Sequence, residues 1–155
     1  MLRVGTVGTS SIMRTIQEAI RLTDGMECRV VYSRTEEQGR AFAAEMGVPE
    51  HCTDYAAMLE RSDLDLIDIA SPNRFHAEQA LAALEHGKHV IVEKPAAVTR
   101  GDVQRLIDAA RANGVYFFEA ITTLFMPQYE ACRLLLPKLG RIEQAHITYA
   151  QYSSR

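Results

Sequence analysis

Hydrophobic positions along the 155-residue chain switch repeatedly between two periods. Residues 2–7 form a short apolar run that reads as a buried strand. Ile12, Ile16, Ala19 and Ile20 follow at helical spacing. Residues 26–33 read as the next strand. Thr35 with Gln38 resembles a capping box, and Ala41, Phe42 and Met46 carry that helix to Gly47. Tyr55, Met58 and Leu59 suggest a short helix. A strand over 64–70 ends at Ser71-Pro72-Asn73, and Ala77, Ala80, Leu81 and Leu84 mark a helix that stops at Gly87. Residues 89–93 are again strand-like, closed by Lys94-Pro95. Thr99 with Asp102 is a second capping box, followed by Val103, Leu106, Ile107 and Ala110 at i, i+3, i+4, i+7. Gly114 ends that helix, and 115–119 is the last strand of the series.

Strands alternating with helices in this way predict an α/β fold, a doubly wound parallel sheet covered on both faces. The tail breaks the rhythm. Pro127 suits the first turn of a helix carrying Ala131, Leu134 and Leu135, which ends at Leu139-Gly140. Over 142–152, Ala145, Ile147 and Tyr149 alternate with His146, Thr148 and Ala150, the period of a half-buried strand. Such a strand needs neighbours, so disorder, a domain swap or edge pairing with another copy is expected there. The expected division is 1–121 for the sheet domain, 122–140 for a connecting helix, and 141–155 for the first strand of a second, truncated α/β domain.

Composition narrows the function classes. The chain is 47% hydrophobic and 24% charged with a formal net charge of -3, as in ordinary globular domains. No block of Lys or Arg stands out, so no nucleic-acid partner is expected. No apolar run approaches the roughly 20 residues that span a bilayer. The first residues lead straight into a strand pattern, and a cytoplasmic protein is expected. Cys28, Cys52 and Cys132 include no Cys-x-x-Cys pair, and read as buried free thiols, not a disulfide framework or a zinc site. His86 and His89 are split by Gly87 onto different elements, so no metal is expected.

Candidate chemistry sits where strands end. The first strand turns into its helix through Gly5-Thr6-Val7-Gly8-Thr9-Ser10-Ser11-Ile12-Met13. The dinucleotide fingerprint, Gly-x-Gly-x-x-Gly or Ala, brings a pyrophosphate against the backbone at a helix N-terminus. Gly8 supplies its first position, Ser10 replaces the second glycine and Met13 the third. Ser10 and Ser11 still offer N–H and hydroxyl donors. The second strand ends in Tyr32-Ser33-Arg34-Thr35, without the carboxylate that holds both ribose hydroxyls of NAD. A 2′-phosphate is not repelled there, and Arg34 can pair with it, which favours NADP over NAD. Two proline loops leave the sheet at strand ends, where open α/β sheets bind ligands: Ser71-Pro72-Asn73-Arg74-Phe75-His76 and Glu93-Lys94-Pro95. A residue before proline is held extended. Lys94 is thereby fixed at the strand tip, where it can exchange a proton with a substrate hydroxyl while a hydride moves.

Gly-x-x-Gly-Thr near the N-terminus, Ser-Pro-Asn-x-x-His, Glu-Lys-Pro, and the run from Ala77 to Val90 between the last two form a specific combination. In these the chain resembles the glucose–fructose oxidoreductase / inositol dehydrogenase (Gfo/Idh/MocA) family, over the N-terminal half of the family's architecture. The resemblance implies a Rossmann domain followed by an α/β domain with a large open sheet. It implies that Gly8, Thr9, Ser10, Ser11 and Ile12 line the pyrophosphate and that Ser33 and Arg34 meet the adenosine ribose. Ser71, Pro72, Asn73 and His76 would lie along the cofactor toward the nicotinamide, with Glu93 near its ribose. Lys94 would be the catalytic lysine, and Glu119-Ala120 also matches the family. Leu124 stands where many members carry Arg, and Met126 where a His before the proline is common.

The expected activity is NADP- or NAD-dependent hydride transfer between nicotinamide and a sugar- or polyol-like hydroxyl or carbonyl. The resemblance places the family's other catalytic groups, an Asp and a His, in the second domain, so this chain alone is expected to be inactive and the full-length protein a homo-oligomer. The alternative is a non-catalytic dinucleotide-binding module that senses or assembles. Another Rossmann enzyme, such as a methyltransferase, has no need of Glu93-Lys94-Pro95.

Overall fold

In the computed structural model, residues 1–148 and Ala150 are described. They fall into two units, Met1–Ala120 and Ile121–Arg155. The first unit holds six strands: β1 (Leu2–Val7), β2 (Met26–Tyr32), β3 (Glu50–Cys52), β4 (Leu66–Ile69), β5 (His89–Val92) and β6 (Phe117–Glu119). Between them run α1 (Ser11–Leu22), α2 (Glu36–Met46), α3 (Tyr55–Leu59), α4 (His76–Glu85) and α5 (Arg100–Ala112). The sheet is parallel throughout, in the order β3-β2-β1-β4-β5-β6. The doubly wound expectation therefore holds, and the order reverses between β1 and β4.

Strand alternation sorts the side chains onto two faces. Val7, Ile67, Ile69, Val90 and Val92 pack with Met58, Leu59, Ala80, Leu84 and Leu106 of α3, α4 and α5. On the other face Val4, Val31 and Leu66 meet Met13, Ile20 and Phe42 of α1 and α2. This second face also buries a polar set, in which the Gln17 amide donates to Thr6 Oγ1 at 2.9 Å and Asp68 lies beside them on β4. The inward stripe of α1 is thus Met13, Gln17 and Ile20, while Ile12 and Ala19 face solvent. The apolar pattern had put those two on the inner face. A buried glutamine satisfied by a threonine shifts that face by one residue.

Helix ends form as their sequences require. Thr35 Oγ1 accepts from Gln38 N, and Asp54 Oδ1 from Ala57 N. Thr99 Oγ1 accepts from Asp102 N at 3.1 Å and donates to Asp102 Oδ2 at 2.7 Å, a closed capping pair. The short strand β3 was not foreseen. Three residues are too few to show a period, and it exists through its register with Val30–Tyr32 of β2.

The second unit contains a 3₁₀ turn (Thr122–Phe125), α6 (Pro127–Leu135) and a further 3₁₀ turn (Leu136–Leu139). Proline opens α6 as expected. The strand anticipated over 142–152 does not form over residues 142–148. An alternating segment becomes strand only by pairing, and no described residue pairs with it. Tyr149 and residues 151–155, the remainder of that expectation, lie outside the described residues. The expectation of three buried thiols is met by none fully: Cys28 and Cys52 are half-buried, and Cys132 is exposed because every described side chain of this unit faces solvent. Among the described residues, no helix is long and apolar enough to cross a membrane.

Candidate cofactor site

Where the strand order reverses, the carboxyl ends of β1 and β4 leave a cleft of about 220 Å³. Gly8, Thr9 and Ser10 form its floor. Tyr32, Ser33 and Arg34 line one side, and Ala70, Ser71, Pro72 and Phe75 the other.

Gly8 is required by two independent facts. Its φ is +114°, and a Cβ built there would lie 2.8 Å from the Ala70 carbonyl oxygen. The residue therefore lets β1 turn toward α1 while β4 stays close. The helix it leads into shares an uncapped start with α4. α2, α3 and α5 are each capped by a side chain. Ser10 at the start of α1 makes no side-chain cap, and the first turn carries no acid. The leading N–H groups of α1 thus remain free to bind an anion, with the positive end of the helix dipole behind them. The glycine cradle and the uncapped helix together fit a dinucleotide pyrophosphate, despite Ser10 and Met13 in the fingerprint. Met13 instead fills the core at 0% exposure.

At the end of β2, Ser33 is buried and donates its N–H to Cys52 O. Arg34 is exposed on the rim of the cleft. The neighbouring acid Glu36 pairs with His51, and Arg34 makes no ion pair among the described residues. A guanidinium without a partner, with no carboxylate at Ser33, fits a second phosphate better than a ribose diol.

Other candidates lie elsewhere. Ser11 and Ile12 open α1 beside the cleft but are exposed and do not line it. Asn73 borders a separate groove between α4 and α5. Glu93, Lys94 and Glu119 sit at or just beyond the ends of β5 and β6, outside the 220 Å³ cleft, with Lys94 exposed and its bond to Pro95 cis. His76 does not face the cleft at all. It is 1% exposed, with Nδ1 2.9 Å from Pro95 O and Nε2 2.7 Å from Ser71 O.

Six lining residues were not among the predicted site residues: Val7, Tyr32, Gln38, Ala70, Phe75 and Gln79. Gln38 follows Arg34 by four residues and Gln79 follows Phe75 by four. One helical turn of spacing was the available signal. Gln79 accepts from Ser71 Oγ at 2.6 Å and so orients a cleft hydroxyl.

One carboxyl group behind the site is strongly perturbed. Burial raises Asp68 from the ordinary 3.8 to about 7, with the charge of Glu93 adding to the effect, and its Oδ1 has no hydrogen-bond partner among the described residues.

Residues 2–121 match the sequence profile of the oxidoreductase family with an NAD-binding Rossmann fold, GFO_IDH_MocA. The chain belongs to this family. It is 36% identical over all 155 residues to the scyllo-inositol 2-dehydrogenase (NADP(+)) of Bacillus subtilis, of which it covers 47%. A 3-ketoreductase from Actinomadura kijaniata, solved with NADP and TDP-benzene, superposes with a TM-score of 0.82 at 31% identity. That match covers 88% of this chain and 42% of the other. Biliverdin reductase from Synechocystis, solved with biliverdin and NADP+, gives 0.79 at 30% identity over 90% of this chain and 44% of that one. The chain spans about half the length of the curated relatives it matches in full.

Proposed function

We propose that this family member binds NADP and serves as the cofactor-binding half of an oxidoreductase acting on a sugar- or polyol-like hydroxyl or carbonyl. The unpaired Arg34 on the rim of a cleft that ends at an uncapped helix carries this reading. The NADP named for the Bacillus dehydrogenase and the Actinomadura ketoreductase supports it, as does the scyllo-inositol in the name of the former. Gly8, Thr9 and Ser10, with the first amides of α1 at Ser11 and Ile12, would hold the pyrophosphate. Ser33 and Arg34 would take the adenosine ribose and its phosphate. Ser71, Pro72 and Asn73 would continue toward the nicotinamide, which supplies or accepts the hydride when bound. Glu93 would meet the adjoining ribose. Lys94 Nζ would exchange a proton with the substrate oxygen. Residues 1–121 would form the cofactor domain and 122–140 the link to a substrate domain. A cytoplasmic homo-oligomer is the form proposed for the whole protein.

Fluorescence titration with the two reduced cofactors tests the assignment. NADPH should bind about tenfold more tightly than NADH, and Arg34→Ala should erase that difference by weakening NADPH alone. Equal or reversed affinities in the parent chain would refute the NADP assignment.

A further inference from the structure

His76 and Glu119 are both spoken for by backbone groups of the loops around the proposed cofactor and lysine positions. The His76 ring is buried between two loops. Its Nδ1 faces the carbonyl of Pro95, the residue after Lys94, and its Nε2 faces the carbonyl of Ser71, which lines the cleft. Carbonyl oxygens only accept, so a ring nitrogen donates in its contact when it carries hydrogen, and a neutral ring, with one N–H, bonds one carbonyl at a time while spanning both. At the end of β6, Glu119 Oε1 accepts from Ala96 N at 2.9 Å. Ala96 is itself 2% exposed. The residue before Lys94 is fixed as well, since Glu93 N donates to Ile69 O at 2.8 Å. Lys94 is therefore an exposed member of a loop whose backbone is tied on both flanks.

We infer that His76 is a two-ended strut that sets the spacing between the cleft loop at Ser71 and the lysine loop at Pro95, with Glu119 anchoring the lysine loop from β6. Both are positioning residues. This inference rests on the proposed role of Lys94, and it removes His76 and Glu119 from direct contact with the cofactor.

The two ends of the strut can be cut separately. His76→Asn keeps a donor near the Nδ1 position, and His76→Gln keeps one near Nε2. The chain has three lysines, Lys88, Lys94 and Lys138, so labelled lysine side chains give a short, assignable NMR spectrum. Lys88 donates to Arg61 O and Leu64 O in the core and reports whether a variant is folded. His76→Gln should shift the Lys94 side-chain signal and leave NADPH affinity within about twofold, whereas His76→Asn should hold the Lys94 signal and weaken NADPH about tenfold. Glu119→Ala should shift Lys94 and speed amide exchange at Ala96 about tenfold, and Glu119→Gln, which keeps the acceptor, should restore both. Both histidine variants changing both readouts together, or neither changing either, would overturn the strut. If the Lys88 signal shows that the histidine variants do not fold, the glutamate pair decides: an unmoved Lys94 in Glu119→Ala overturns the proposal. The Lys94 and Ala96 readouts need no cofactor. Failure of the parent chain to bind NADPH would therefore strike the proposed function and leave the lysine arm to stand or fall by itself.

Discussion

Two aspartates three residues apart are driven in opposite directions by their surroundings. Asp65 receives both the backbone N–H and the guanidinium of Arg3, which hold its carboxyl well below the usual range. Its stabilising effect is complete above the unfolded value of 3.8 and is lost only as the pH falls further. Asp68 is raised to about 7, so between pH 4 and 7 the folded chain binds a proton that the unfolded chain has released. Stability from this group must then fall as the pH climbs through that window. Asp68→Asn removes the dependence and should be more stable than the parent at pH 8 by roughly 1–3 kcal/mol, a gap that closes toward pH 5. Urea denaturation at the two pH values measures it, and a parent chain equally stable at both would count against a raised carboxyl. Neither aspartate's role could be read from the sequence, because each depends on partners brought in by the fold. His76 is a similar case. A histidine after Ser-Pro-Asn looks like a ligand group until Pro95, nineteen residues on, closes over it. Arg34 and Gly8 were legible, because one follows a strand end and the other is the only residue type that the turn admits.

The strand–turn–helix unit from β1 to α1 shows what could be foreseen among elements and what could not. Apolar runs and capping pairs marked most of the helices and strands of the sheet domain, since each signal is local. The three residues of β3 carried none, and the inner face of α1 was displaced by Gln17. The same unit gives a test of the cleft. Gly8 and Gly25 both adopt positive φ, +114° and +83°, but only Gly8 has a neighbour that an added Cβ would strike. Gly25→Ala should cost about 1 kcal/mol from backbone strain alone. Gly8→Ala adds the clash with Ala70 O and should cost about 1–3 kcal/mol, with NADPH binding abolished. Thermal or urea unfolding of the two variants, with a cofactor titration of each, separates strain from contact. Equal losses in both would mean that β1 and β4 are not held together by this close approach.

For the whole molecule, the distribution of burial is decisive. Every buried apolar residue of the core lies at or before Ala110. The cleft, the lysine loop and the strut also belong entirely to the unit Met1–Ala120. By contrast, residues 121–148 bury no side chain, although α6 and the turn after it present Leu134, Leu135, Leu136 and Leu139 to solvent. An apolar stripe of that kind marks a surface made to be covered. The sequence showed the stripe by its spacing but could not show its partner. The curated relatives matched in full are about twice as long as this chain. In isolation the stripe should find another copy of itself. The 155-residue chain is therefore expected to self-associate as its concentration rises, and a chain ending at Ala120 to remain monomeric with unchanged affinity for NADPH. Sedimentation equilibrium of both forms, with a cofactor titration alongside, makes the comparison. A monomeric 155-residue chain at all concentrations would show that the stripe needs no cover. Loss of cofactor binding in the shorter chain would mean that the cleft depends on residues beyond the sheet domain.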